Sequence, residues 1–338
     1  NLLIISILVV LVLFLAILEL ALGSVRIPVS DVLGVLTGSD GSQASFRTII
    51  LDSRLPRMLT AILAGSGLAM SGLLMQTYFR NPLAGPSVLG ISSGASLGVS
   101  LLVLMAGGVG FMYKFAGVGG NLAVAVAAGL GAFGSLALII WVARRMRSAV
   151  TLLIFGLMLG YITSAVIIVL QKGATPGALQ AFVFWGMGSF SNTIGTSLTI
   201  LGIAVGAGLS IVLGFTRSLN AMLLGSEYAS SMGVNVRRVE ILILLSTGLL
   251  AGVVTAFCGP VAFLGLAVPH LARGIMKSSN HLLLLPSVVL VGMTLALGCD
   301  LLSRIPLSNG YLPLNAVTSI VGAPIILWII LRNKRLGE

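Results

Sequence analysis

Ten runs of apolar and small residues, separated by short breaks rich in proline, glycine and charge, set out this chain. A helix rises about 1.5 Å per residue and a bilayer core is about 30 Å thick, so runs near twenty residues read as membrane spans. They fall at about 2–22, 56–79, 87–106, 121–143, 149–170, 191–214, 239–257, 262–277, 282–303 and 312–331. The eighth is short and follows a break at Gly259-Pro260. Pro56 suits a first helical turn, and Pro82 and Pro86 force a break between the second and third runs, which makes those two a hairpin. Residues 23–53 read as a polar loop and Gly107–Gly120 as a glycine-rich one. A short interfacial helix is expected within 173–190, where Pro176 and Trp185 lie. In the polar segment 217–238, Ser226 before Glu227 can start a short helix that ends near Gly233. The expected fold is all-α, one membrane domain over residues 1–338 with no room for a large soluble domain.

Composition agrees with the pattern. The 338 residues are 57% hydrophobic and 8% charged, with mean hydropathy +1.14, and a water-facing surface needs more charge than that. The net charge of +11 excludes nothing by itself, but the positives are scattered between apolar runs, which is topology signalling rather than a nucleic-acid patch. With the N-terminus inside, twelve of the nineteen lysines and arginines fall on the inner side and seven on the outer. Both termini are then cytoplasmic. The first run is read as a span rather than a signal peptide, being too long for one and lacking a cleavage site. Cys258 and Cys299 lie in apolar segments and read as small core residues.

Small residues recur at four-residue spacing, which permits close helix contact in a membrane. Gly65 to Ala69, Gly90 to Gly94 to Gly98, Gly202 to Gly206, and Gly156 to Gly160 continued by Ser164 are such frames. Ionisable groups inside the runs are few. Glu19 and Asp300 lie near span ends, Glu240 near the inner start of the seventh, and His270 and His281 read as structural histidines. No cluster has metal spacing, and no nucleotide loop or nucleophile–base set is visible. An ion-coupled carrier buries ligands for its ion, and these spans show none. The chain is therefore a passive pore or facilitator, or a transporter driven by a partner; a membrane enzyme lacks its chemistry.

The wording of the hairpin, RLPR…AGSGLAMSGLLMQ…NPLAGPSVLGISSGA, and of Gly259–Arg273, GPVAFLGLAVPHLAR, resembles the permease subunits of type II ABC importers for iron-siderophores, haem and cobalamin, the FecCD-like family. The resemblance covers essentially the whole chain. It implies a homodimer with one channel between two copies, two ATP-binding subunits that carry ATP and Mg, an extracytoplasmic binding protein, and a metal-chelate cargo, in a bacterial inner membrane. No cofactor is expected on the chain itself. It matches a cytoplasmic coupling helix on Leu224, Gly225, Ala229 and Gly233, with Glu227 inside it. It implies an inner gate at Asn81 and Leu83 with a hydroxyl pair before the fifth span, where this chain offers Ser148 and Thr151. Gly156, Gly160 and Ser164 lie on the fifth span, which lines the channel in the family, and fit either the path or helix packing. Arg54, Arg57 and Arg304 match arginines that meet acidic knobs of the binding protein; pairing with Asp52 and Asp300 is the plain alternative.

Overall fold

A computed structural model describes residues 2–38, 43–105, 118–145, 148–305 and 311–333. Among these the chain is helical, with no strand. The helices are α1 (Leu2–Ala21), α2 (Val29–Thr37), α3 (Ala44–Thr48), α4 (Leu55–Phe79), α5 (Ile91–Met105), α6 (Val118–Arg145), α7 (Ala149–Lys172) and α8 (Pro176–Gly186). There follow α9 (Thr196–Gly214), α10 (Thr216–Leu223), α11 (Ser226–Ser231), α12 (Val236–Cys258), α13 (Leu264–Met276), α14 (His281–Ser303) and α15 (Leu314–Asn333).

Each predicted span coincides with one helix. Seven segments are long and apolar enough to cross a membrane: α1, Ala44–Phe79, Gly120–Arg145, α7, α9, α12 and α14. Ile91–Met105 and Leu314–Trp328 are shorter apolar helices, and α13 has 13 residues, so ten crossings are not established by length. The predicted loop 23–53 is largely helical instead. Its polar residues conceal the stripe Val32, Val35 and Ile50, all buried, and α3 joins α4 through a π-helical turn, Ile49–Arg54. The glycine-rich loop predicted from Gly107 lies mostly outside the described residues, which resume in α6.

Lipid offers apolar side chains no hydrophobic reason to pair, so close packing decides which helices meet. Helix α4 is the centre, with seventeen buried residues from Met58 to Thr77. A Cβ on Gly65 would overlap the Gly292 carbonyl of α14, and one on Gly292 would meet Ala69. A Cβ on Gly72 would overlap the Gly265 carbonyl of α13. Helices α5 and α6 touch in the same way, Gly94 against Gly131 and Gly98 against Ala127. The frame at Gly202 and Gly206 makes no such contact, since Gly206 faces open space. Helices α1, α7 and α9 stand at the periphery with few of their apolar side chains buried.

The thirteen residues of α13 rise about 20 Å, less than a bilayer core of about 30 Å, so the non-helical run before it sits inside the protein. Gly259 (φ +73°) and Phe263 (φ +65°) turn the chain there in left-handed conformations. Asn315 holds the run by accepting the Ala262 N–H at 3.0 Å, which supplies a partner that lipid could not.

We expect Gly72→Val to destabilise the folded chain by at least about 2 kcal/mol, read as a lowered unfolding temperature of purified protein, because carbonyl backbone cannot yield to the new methyls. Gly206→Ala should leave that temperature unchanged or slightly raised.

Candidate functional site

At one end of the α4–α14 pair the arginines singled out by sequence come together. Arg57 grips Asp300 with Nε 2.8 Å from Oδ2 and NH2 2.9 Å from Oδ1. Arg304 reaches the same carboxylate at 2.6 Å and also pairs with Glu19 of α1. Arg54 is buried and donates to the backbone carbonyls of Leu20 and Val25. Two cations thus meet two carboxylates while Arg54 binds backbone carbonyls, and α1, α4 and α14 are tied together. Burial lowers the Arg304 guanidinium to about 10, still well above neutral pH, so it stays charged. Asp52 is exposed, and the described ion pairs all run to Asp300 or Glu19. Of the three arginines Arg57 is the most open, its side chain 26% exposed beside a cavity of about 270 Å³ that also touches Ser53 and Tyr311.

At the other end the Asn-Pro-Leu turn closes α4. Asn81 Oδ1 accepts the Leu83 N–H at 2.9 Å, and His270 Nε2 donates to the Pro82 carbonyl at 2.6 Å. Leu83 is held outward, 46% exposed, at the rim of a cavity of about 330 Å³ between the turn, Ser92 and the break before α13. Ser148 caps α7 by accepting the Thr151 N–H at 3.4 Å. Gly156 packs beneath the Val88 carbonyl and Gly160 lies beside Ser93, while Ser164 is exposed on α7.

The segment after α9 forms two short helices. Ser226 starts α11 as expected, preceded by Gly225 (φ +116°) at the cap position, and Gly233 (φ +81°) follows its end in a left-handed turn. Leu224, Glu227, Tyr228 and Met232 face outward. Ala229, part of the coupling-helix pattern, is fully buried on the inner side of α11. Its small side chain seats the helix on its own neighbours, so a bulky replacement there would unseat α11 itself.

Helix α10 buries Leu219 and Met222 in the bundle and adds a polar tie to α14 through Asn220. Asn220 Oδ1 accepts the backbone N–H of His281 at 2.8 Å and its Nδ1–H at 2.9 Å, and Nδ2 donates to Asn280 Oδ1 at 2.9 Å. Because an amide oxygen only accepts, a neutral His281 carries its proton on Nδ1, and Nε2 lies 3.1 Å from the Thr77 hydroxyl of α4, whose single proton is shared with the Leu73 carbonyl at 2.9 Å. Both histidines have partners, as the sequence reading held. Among the described residues no group of histidine, cysteine and carboxylate could hold a metal.

Residues 10–332 match the model of the FecCD transport family. The chain belongs to that family. It is 34% identical to the vitamin B12 import system permease BtuC of Klebsiella pneumoniae over 87% of this chain and 86% of that protein. It is 36% identical to the hemin transport system permease HmuU of Yersinia pestis, over 85% and 84%. With the ferric enterobactin transport system permease FepD of Escherichia coli K12 it shares 34% identity over 95% and 92%. A solved inward-facing metal-chelate type ABC transporter superposes with TM-score 0.84 and 29% identity, covering 98% of this chain and 100% of that one. The fold is that of a type II ABC importer permease, a multi-pass membrane protein of a transport family.

Sequence reasoning passed over Glu19 as an ion-pair partner, Asn220 as a tie, and Tyr228 and Met232 as surface. An acid inside an apolar run demands a counter-charge, which was the available sign for Glu19. Replacing Asp300 by asparagine leaves two guanidinium groups facing a neutral amide. We expect a loss of about 3 kcal/mol or more, seen as a lower unfolding temperature, against a much smaller loss for the half-open Arg57→Gln.

Proposed function

We propose that the chain is the permease of an ATP-driven importer that carries a ferric siderophore, with haem or cobalamin as the next candidates, into the cytoplasm. It works as a homodimer with two ATP-hydrolysing subunits and an extracytoplasmic binding protein, in a bacterial inner membrane with both termini inside. The observation that carries this reading is the near full-length likeness to import permeases whose cargoes are vitamin B12, hemin and ferric enterobactin. The scarcity of ionisable groups in the described spans supports a partner-driven rather than an ion-coupled carrier.

On this reading α11 docks on the ATPase through Leu224, Gly225, Glu227 and Gly233, with Tyr228 and Met232 as its apolar anchors. Nucleotide-dependent movement of that partner shifts α11, and α10 passes the shift to α14 and α4 through Asn220, His281 and Thr77. A ligand can move an equilibrium only by binding its two states unequally, so this tie has to hold during the stroke. Asn81 and Leu83 form an apolar constriction at the inner mouth, flanked by Ser148 and Thr151. Gly156, Gly160 and Ser164 mark the channel-side helix. Arg57, with Arg54 and Arg304 holding its surroundings, faces the binding protein at the outer end.

One reconstituted system separates these parts. Tyr228→Ala with Met232→Ala should weaken ATPase co-purification by about tenfold or more, with the unfolding temperature of the permease unchanged. Arg57→Glu should weaken binding-protein association most clearly at low salt and leave basal ATP hydrolysis alone. Leu83→Ser should raise passive cargo leak from proteoliposomes without ATP. Parent-like behaviour of any variant removes that residue set from its assigned role.

A further inference from the structure

We propose that the cavity framed by α4, α10, α13 and α14 binds a phosphate group. This goes beyond the transport reading and does not depend on it. The cavity holds about 260 Å³, and its lining includes Gln76, Thr77, Arg80, Arg273, Ser279 and His281.

The two ends of the α4–α14 pair treat their arginines differently. At the Asp300 end each guanidinium meets carboxylates or carbonyls. Here two arginines line one cavity and no carboxylate does. The described ion pairs all lie at the other end. Glu240 interacts electrostatically with Arg80 but is shared with Arg237 and stands outside the lining. A partly buried cation without a counter-charge favours the arrival of an anion.

The site is also built. Gln76, 3% exposed, accepts Arg273 NH1 at 2.5 Å and anchors itself by donating to the Leu266 carbonyl at 3.2 Å. A neutral amide thus fixes the direction of the guanidinium without cancelling its charge, and leaves its other N–H groups free for a ligand. Arg80 ends α4 with φ +47°, and Lys277 ends α13 with φ +49°. Left-handed backbone is unfavourable for both residues, and at the end of α4 it sets the Arg80 side chain at the cavity. Ser279 adds a hydroxyl. His281 and Thr77 wall the cavity but are engaged with Asn220 and each other, so they are not ligands. Guanidinium forks with a hydroxyl suit the oxygens of a phosphate better than a single carboxylate.

That phosphate can belong to a phospholipid headgroup or be free in solution. The purified, delipidated full chain distinguishes the two. In one arm inorganic phosphate is titrated at constant ionic strength and thermal unfolding is followed. In the other, phosphatidylglycerol or diacylglycerol is added and bound lipid is counted by native mass spectrometry. A shift with inorganic phosphate identifies a free anion, and retention of phosphatidylglycerol but not diacylglycerol identifies a headgroup. In whichever arm binds, Arg273→Gln and Arg80→Gln should each weaken binding by about tenfold or more, whereas Arg145→Gln on α6 should not. Should Arg273→Gln fail to fold, Arg80→Gln at the exposed mouth decides. Failure of the parent to bind in either arm, or equal binding by the Arg80 variant, overturns the proposal.

Discussion

The structure depends on how closely α4 approaches α14 and α13. At Gly65, Gly72, Gly265 and Gly292 there is no side chain between one helix and the carbonyls of the next. In lipid such contact replaces the hydrophobic force that drives packing in water. It also fixes register, because only one alignment puts glycine opposite glycine. That register places Arg57 against Asp300 at one end and Thr77 against His281 at the other. The polar ties are therefore consequences of the glycine contacts, and each becomes possible only after the helices have met.

The two sets of ties differ in kind. The Arg57–Asp300–Arg304–Glu19 group is ionic and mostly buried, so removing one partner is far worse than never having had the group. Such a knot suits a part of the molecule that keeps its shape. The Asn220–His281–Thr77 chain is built of neutral hydrogen bonds, each modest in net strength and directional. It joins the short helix α10 to the buried spine of α14 and α4.

How much was legible follows from the same physics. Apolar runs of about twenty residues dictate helices in lipid, so the seven long apolar helices fall where the sequence predicts spans. The frames at Gly65 and Gly94 proved to be contacts, yet the equally spaced Gly202 and Gly206 did not, because spacing does not say which face a neighbour occupies. Helices α2 and α3 were missed since amphipathic surface helices resemble polar loops in composition. Ala229 matched the family pattern but turned inward, and Tyr228 and Met232 beside it turned out. Which face of a two-turn helix is covered depends on α10 and α12 beneath it, and no local pattern encodes that.

The fold and the family make this chain a transport permease, and the energy source is the central claim. Purified permease, its ATPase and its binding protein are to be placed together in proteoliposomes, with ferric siderophore outside and ATP inside. The expected outcome is iron accumulation that requires ATP, requires the binding protein, and ignores an imposed proton or sodium gradient. Accumulation driven by such a gradient in the absence of ATP would contradict it.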